Sequence, residues 1–164
     1  MKAVVIDTNV AIAANGKHPP AGPECVKNCI HALRTARQQL VLVDDGYHIL
    51  DEYRHNLSPK GQPGPGDAFF KWLWDNKSNP NHCRQVAITP LNGSETNFAE
   101  FPADPGLAQF DPSDRKFIAV ALGSRLDPKV LEATDSKWWP LRELFQRNGV
   151  RVEFLCPELM KERD

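Results

Sequence analysis

The sequence has no long apolar run and almost no net charge. No stretch approaches the roughly 20 apolar residues of a transmembrane helix, and the apolar run that ends at Ile6 meets an acid at once, which argues against a signal peptide. The formal net charge of the 164 residues is −1, so neither a polybasic nucleic-acid arm nor a membrane-surface patch is expected. These absences predict a cytoplasmic globular protein with no membrane partner, and they leave nucleic acid open as a ligand.

Cysteine is scarce, and no CxxC pair is present. Because a cytoplasmic location is expected, the four cysteines Cys25, Cys29, Cys83 and Cys156 are predicted to be thiols. Cys25 and Cys29 lie one helical turn apart and with Cys83 could form a metal site, but buried or surface thiols are favoured over zinc. The chain also has no G-x-S-x-G motif, no glycine-rich phosphate loop and no triad arrangement of its histidines.

What the sequence does contain is an alternation of apolar strands and amphipathic helices. This order predicts a three-layer α/β/α fold around a parallel sheet of about five strands. A single domain is expected over residues 1–156, followed by a short polar tail at 157–164, with loops at 58–66 and 90–110. The predicted strands cover residues 4–6, 40–43, 86–89, 130–133 and 150–155. The predicted helices cover residues 10–14, 23–39, 46–56, 68–76 (capped by Asp67) and 138–147, and another begins at Pro112.

The first strand ends in an acid. Val4–Ile6 is an unbroken β-branched run that is typical of a strand buried on both faces, and Asp7 follows it directly. Ligands of open α/β sheets bind at this carboxyl edge. Asp135 follows the fourth strand, so the two acids would face each other if the first and fourth strands are neighbours. Asp114 and Glu52 lie near helix starts on the same side.

Several carboxylates in one cleft repel each other unless a cation is present. Oxygen ligands with open positions suit Mg²⁺ or Mn²⁺, and such a site supports phosphodiester hydrolysis. Helix capping explains any single acid, but four acids in this order favour a site. Asp111 competes with Asp114, although Asp111 is well explained as an N-cap.

Four segments together resemble the PIN-domain family, from Val4 to about Leu155. They are Ile6-Asp7-Thr8-Asn9, Glu52 in the helix after the second strand, the run Asp114-Arg-Lys-Phe-Ile-Ala-Val-Ala, and Ala133-Thr134-Asp135. The resemblance implies a metal-dependent endoribonuclease with sheet order 3-2-1-4-5 that leaves a 5′-phosphate and a 3′-hydroxyl. It further implies an RNA substrate, a toxin role with a protein antitoxin, and a homodimer.

The resemblance also assigns roles to residues. Asp7, Glu52, Asp114 and Asp135 would be catalytic and hold Mg²⁺ or Mn²⁺, and the family pattern selects Glu52 over the adjacent Asp51. Three neighbours would support them: Thr8 would hydrogen-bond an acid or a metal-bound water, Asn9 would fix the turn after the strand, and Thr134 would precede the last acid.

Several cations lie near the proposed cleft, Lys60 and Lys137 among them, and Arg54, Arg115 and Lys116 are tentative contacts for substrate phosphates. Two other functions compete with the nuclease. A phosphatase with Asp7 as nucleophile would need a second acid at the position of Asn9, which disfavours it. A non-catalytic PIN-like module that binds RNA or a protein is the stronger alternative, and intact acids argue against it because they repel each other without a metal.

Overall fold

A computed structural model describes residues 1–160 of the chain. Its centre is a parallel five-stranded sheet in the order β3-β2-β1-β4-β5, which confirms the predicted fold class and strand order. The strands are β1 Ala3–Ile6, β2 Leu40–Asp44, β3 Cys83–Val86, β4 Lys129–Glu132 and β5 Arg151–Phe154. The order reverses between β1 and β4, so the crevice at the carboxyl end of these two strands is the switch point.

Helices connect the strands and flank the sheet. Their bounds are α1 Thr8–Ala14, α2 Pro23–Ala36, α3 His48–Asn56, α4 Pro65–Asn76, α5 Arg115–Ser124, α6 Arg142–Arg147 and α7 Pro157–Met160. None of the helices within residues 1–160 is long and apolar enough to cross a membrane.

The two central strands form for the reason that their sequences suggest. All five residues of β2 are buried, and β1 is buried from Val4 to Ile6, because helices cover both faces of a parallel sheet. The register pairs Val4 with Val41 of β2 and Val5 with Val130 of β4. The backbone N–H of Asp7 donates to the carbonyl of Leu131 at 3.1 Å, which fixes the first acid of the sequence beside the end of β4.

The predicted third strand, at 86–89, is displaced. The observed β3 runs from Cys83 to Val86 and pairs only with β2, so its burial alternates in the way of an edge strand. The apolar run that predicted the strand, Val86 to Ile88, instead continues into a turn in which Pro90 bridges Phe98. Burial of single apolar side chains in a loop produced the misleading strand pattern.

Several helix boundaries also differ from the prediction. The helix expected over 138–147 is a 3₁₀ segment at Ser136–Leu141, which contains Pro140, followed by α6, because proline disrupts α-helical hydrogen bonding. The helix expected from Pro112 begins with a 3₁₀ turn at Pro112–Asp114 before α5. Asp67 lies inside the first turn of α4 rather than before it, and its Oδ2 accepts from the Gly64 N–H at 3.0 Å.

Both predicted loops contain helical segments. The end of the 58–66 loop belongs to α4, and Gly66 packs so closely on α1 that a Cβ there would lie 2.0 Å from the carbonyl oxygen of Ala11. The 90–110 segment contains 3₁₀ turns at Leu91–Gly93 and Pro105–Leu107. Its Phe110 ring is buried and packs edge-on against Phe145, with ring centroids 5.2 Å apart.

The prediction that all four cysteines are thiols is wrong. Cys25 of α2 and Cys156, which follows β5, form a disulfide, whereas Cys29 and Cys83 are free and buried. The tail predicted at 157–164 also differs, since α7 occupies its first four residues and buries Met160. Residues 161–164 lie outside the described part of the chain.

Candidate functional site

The four predicted acids lie around the carboxyl ends of β1 and β4. Asp7 is 5% exposed and caps α1, where its Oδ1 accepts from the Asn9 N–H at 3.3 Å. Burial is the largest cause that raises the pKa of Asp7 well above its usual value, and the charges of Glu132 and Glu52 add to it. A carboxyl group in this position has little to stabilise its charge.

Glu52, and not Asp51, points into the site. Its Oε2 accepts from the Thr8 hydroxyl, and its Oε1 accepts from the Lys116 ammonium at 2.8 Å. Asp51, rotated about 100° around α3, instead pairs with Arg54 at 3.0 Å on the exposed face. The hydrogen bond from Thr8 therefore goes to an acid, as the resemblance implied.

Of Asp114 and Asp111, too, only one acid belongs to the site. Asp111 caps the 3₁₀ turn at Pro112–Asp114, and the hydrogen bond from the Ser113 N–H to its Oδ1 lowers its pKa. The side chain of Asp114 makes no capping hydrogen bond. Burial, followed by the charges of Asp7, Asp111, Asp135 and Glu52, raises the pKa of Asp114 to about 8. Asp111 is thus a structural acid, whereas Asp114 belongs to the cluster.

Asp135 caps a 3₁₀ segment and also contributes negative charge to the cluster. Its Oδ1 accepts from the Lys137 N–H at 3.0 Å and caps the 3₁₀ segment that follows, while its charge acts on both Asp114 and Glu132. Thr134, for which a supporting role is predicted, is half-buried directly before it.

A fifth acid, Glu132, completes the cluster, and the sequence interpretation missed it. Glu132 is the last residue of β4 and is fully buried. Its Oε1 accepts from the Asn9 amide and from the Asp135 N–H, the latter at 3.0 Å, whereas its Oε2 is buried without a hydrogen-bond partner. Burial raises the pKa of Glu132 to about 7. The available signal was a carboxylate inside an apolar strand, which is costly unless something pairs with it.

Asn9 does more than fix the turn after β1. Its amide nitrogen donates to Glu132, and its Oδ1 accepts from the Ala133 N–H at 3.2 Å. One side chain therefore links the end of β1 to the end of β4, which is how the sheet keeps Asp7 and Glu132 together.

The three cations that were predicted to contact substrate phosphates are each bound to other groups of the protein. Lys116 is only 8% exposed and its ammonium binds Glu52 and the Ser113 carbonyl. The Arg115 guanidinium donates to the carbonyl oxygens of Phe110 and Ala108, the latter at 2.9 Å, and thereby fastens the 90–110 segment. Arg54 is exposed and paired with Asp51.

A cleft of about 280 Å³ lies beside the cluster, and two of the acids line it. Its lining residues are Gln109, Phe110, Asp111, Asp114, Asp135, Lys137, Trp138 and Leu141. Trp138 is fully buried against Phe110 and Phe145 and is therefore a core residue. A larger cavity of about 1010 Å³ lies between α2 and the β4–β5 side of the sheet and contains none of these acids.

The donor chemistry of the cluster fits a hard cation. Asp7 and Glu132 are close enough to share a hydrogen bond, yet two ionised carboxylates have no hydrogen between them. Either a proton or a cation must therefore stabilise the unpartnered Oε2 of Glu132. The surrounding ligand atoms are carboxylate oxygens, which suit Mg²⁺ or Mn²⁺. Within residues 1–160, however, no three of these acids bring a carboxylate oxygen within 4.8 Å of one another. Side chains would therefore have to move for Asp7, Asp114, Glu132 and Asp135 to hold an ion, with Glu52 beside them.

The chain matches no protein-family model, no curated protein and no solved structure. The likeness to PIN domains therefore depends on the four sequence segments and on the strand order, and membership of that family stays a prediction.

Proposed function

We propose that this protein is a Mg²⁺- or Mn²⁺-dependent endoribonuclease of the PIN class. The observation that supports this most strongly is the pair formed by Asp7 and Glu132 at the switch point of the sheet, where a buried carboxylate oxygen lacks a donor. Glu52, Asp114 and Asp135 surround the pair closely enough for their charges to act on it or on one another.

The chain's own residues prepare the site for a phosphodiester. Asn9 and the Asp135 N–H hold Glu132, while Thr8 and Lys116 hold Glu52, so two of the acids are oriented before any ligand arrives. The ammonium of Lys116 also supplies a fixed positive charge. A bound divalent ion would act as a Lewis acid, lower the pKa of a water and neutralise charge on the phosphoryl oxygens. Asp7, Asp114, Glu132 and Asp135 would hold it.

RNA as the substrate comes from the family resemblance, as does the cleavage that leaves a 5′-phosphate and a 3′-hydroxyl. The toxin role, a protein antitoxin, a homodimer and a cytoplasmic location are part of the same proposal. The cleft lined by Asp114 and Asp135 is the open space that leads to the acids, and a single-stranded segment would enter there.

Cleavage of a mixed single-stranded RNA tests the proposal. The purified protein is incubated with Mn²⁺, with Mg²⁺ and with EDTA, beside the variants Asp7→Asn and Asp114→Asn. Loss of an ion ligand should lower the rate by at least about 100-fold, since each 1.4 kcal/mol of lost transition-state stabilisation is about tenfold. Circular dichroism checks that the variants remain folded.

The matched control is Asp51→Asn, because it replaces an acid that lies next to a cluster acid but on the exposed face of α3. This control should cleave at close to the parental rate. Cleavage that persists in EDTA, or in Asp7→Asn, would contradict the proposal. No cleavage together with no Mn²⁺ binding in calorimetry would support the non-catalytic module instead.

A further inference from the structure

A second group of potential ligands lies away from the acids, on the buried side of α2. Cys25 and Cys29 are one turn apart on this helix, and Cys156 follows β5 and reaches the same place. All three residues are 0% exposed, and their sulfur atoms lie within 4.8 Å of one another. Two of them form the disulfide, which leaves Cys29 as a free thiol beside it.

We propose that this three-cysteine cluster is a redox-controlled binding site for one thiophilic divalent ion such as Zn²⁺. In the oxidised protein the Cys25–Cys156 disulfide closes the site. In the reduced protein the thiolates of Cys25, Cys29 and Cys156 bind the ion, and a water molecule completes the coordination.

The spacing of the sulfur atoms agrees with such a site. In tetrahedral coordination with Zn–S bonds of about 2.3 Å, neighbouring sulfur atoms lie about 3.8 Å apart. The Cys29 sulfur already lies within 4.8 Å of the other two and needs to move by about 1 Å or less. The two bonded sulfurs must separate by about 1.8 Å after reduction.

An ion would change the protonation of the three cysteines, because a bound metal ion deprotonates its thiol ligands. Binding should accordingly release three protons and weaken as the pH falls.

The chemical steps balance. A thiol reductant donates two electrons to the Cys25–Cys156 disulfide, which becomes two thiols, while the reductant is oxidised to its own disulfide. The ion then displaces the protons of the three thiols, which go to solvent. Reoxidation needs a two-electron acceptor such as a small-molecule disulfide, which is reduced to two thiols as the Cys25–Cys156 bond forms again and the ion leaves.

The position of the cluster suggests what the ion would do. The disulfide joins α2 to the chain beyond β5, and the Asn28 side chain donates to the Leu155 carbonyl at 2.9 Å beside it. An ion held by Cys25, Cys29 and Cys156 would join the same two segments. The cross-link that anchors α7 would therefore persist under reducing conditions, in which the disulfide opens.

Metal titration of the reduced protein tests this proposal. The full chain is reduced anaerobically with a phosphine, freed of excess reductant, and titrated with Cd²⁺, whose thiolate complexes absorb in the ultraviolet. Native mass spectrometry with Zn²⁺ measures the stoichiometry. We expect one ion per reduced chain and none at the cysteines of the oxidised chain. Because loss of even an outer-shell partner can cost 10–100-fold in affinity, Cys29→Ser should weaken binding by at least about 100-fold.

The matched control is Cys83→Ser, which replaces the other buried free cysteine, on β3. It should leave the Cd²⁺ absorption unchanged. Asp7→Asn should also retain the absorption, which separates this site from the acids and from the nuclease proposal. If Cys29→Ser does not fold, Cys29→Ala and the comparison of reduced with oxidised wild-type protein decide the question.

A reduced wild-type protein without thiolate–Cd²⁺ absorption at equimolar metal would overturn the proposal. Absorption that Cys83→Ser abolishes and Cys29→Ser keeps would overturn it as well.

Discussion

Replacement of Glu132 by glutamine should stabilise the metal-free protein at alkaline pH. The Oε1 atom of Glu132 accepts two hydrogen bonds that a glutamine carbonyl can also accept, while the unpartnered Oε2 becomes an NH₂ donor beside Asp7. Burial raises the pKa of this carboxyl from 4.5 to about 7. At about 1.4 kcal/mol per unit, the shift corresponds to about 3 kcal/mol.

The direction of the effect follows from proton linkage. Because the folded-state pKa lies above the unfolded one, the folded protein binds this proton more tightly. The stabilising contribution is complete below about pH 4.5 and is lost as the pH rises through about 7. The amide stays neutral at every pH, so Glu132→Gln should match the wild type at pH 4.5 and exceed its free energy of unfolding by about 3 kcal/mol at pH 8.

Urea unfolding in EDTA, followed by circular dichroism at both pH values, measures this difference. The control is Glu153→Gln on the neighbouring strand, where the half-exposed carboxylate pairs with Lys129 at 3.6 Å. That variant should show no comparable gain. A gain of the same size at pH 4.5 and pH 8, or a Glu132→Gln protein less stable than the wild type at pH 8, would refute the reasoning.

Two further perturbations act on the buried charge and on the cross-link. Lys116→Met should destabilise the protein by about 3 kcal/mol in urea unfolding, because it leaves Glu52 without its buried counter-ion. A surface ion pair contributes only about 1 kcal/mol or less, so a loss below that value would contradict this expectation. Reduction of the Cys25–Cys156 disulfide, whose cysteines are 131 residues apart in sequence, should cost about 5 kcal/mol in metal-free buffer by loop-closure entropy. Unfolding midpoints measured with and without reductant in EDTA test the second expectation, and equal midpoints would contradict it.

The central part of the fold was predictable because its signals are local. β1 and β2 are nearly unbroken apolar runs, and their burial on both faces of a parallel sheet leaves little alternative. The edge strand β3 was not predictable in the same way, because Arg84 is exposed within it while Ile88, outside it, is buried. β3 pairs with one neighbouring strand only, so its apolar pattern does not distinguish a strand from a loop that packs against the core.

The candidate site was only partly predictable, for a different reason. Asp7 and Asp135 follow strands, so the sequence alone places them at one edge of the sheet. The choice of Glu52 over Asp51 depends on Thr8 and Lys116, which are distant in sequence, and the burial of Glu132 depends on Asn9. The disulfide between Cys25 and Cys156 likewise depends on the tertiary packing of α2 against the chain after β5. Such pairings carry no local sequence signal.

The occupied oxygens of the cluster indicate which acids remain free to bind an ion. Both oxygens of Glu52 already accept, from Thr8 and from Lys116, so this acid contributes mainly negative charge. Within residues 1–160, Oε2 of Glu132 has no hydrogen-bond donor, and the side chain of Asp114 makes no capping bond. Glu132→Gln and Asp114→Asn should therefore lower the affinity for Mn²⁺ in calorimetry more than Glu52→Gln does. If Glu52→Gln has the largest effect, Glu52 must exchange its ammonium partner for the ion, and the observed pair with Lys116 would be the arrangement of the metal-free site alone.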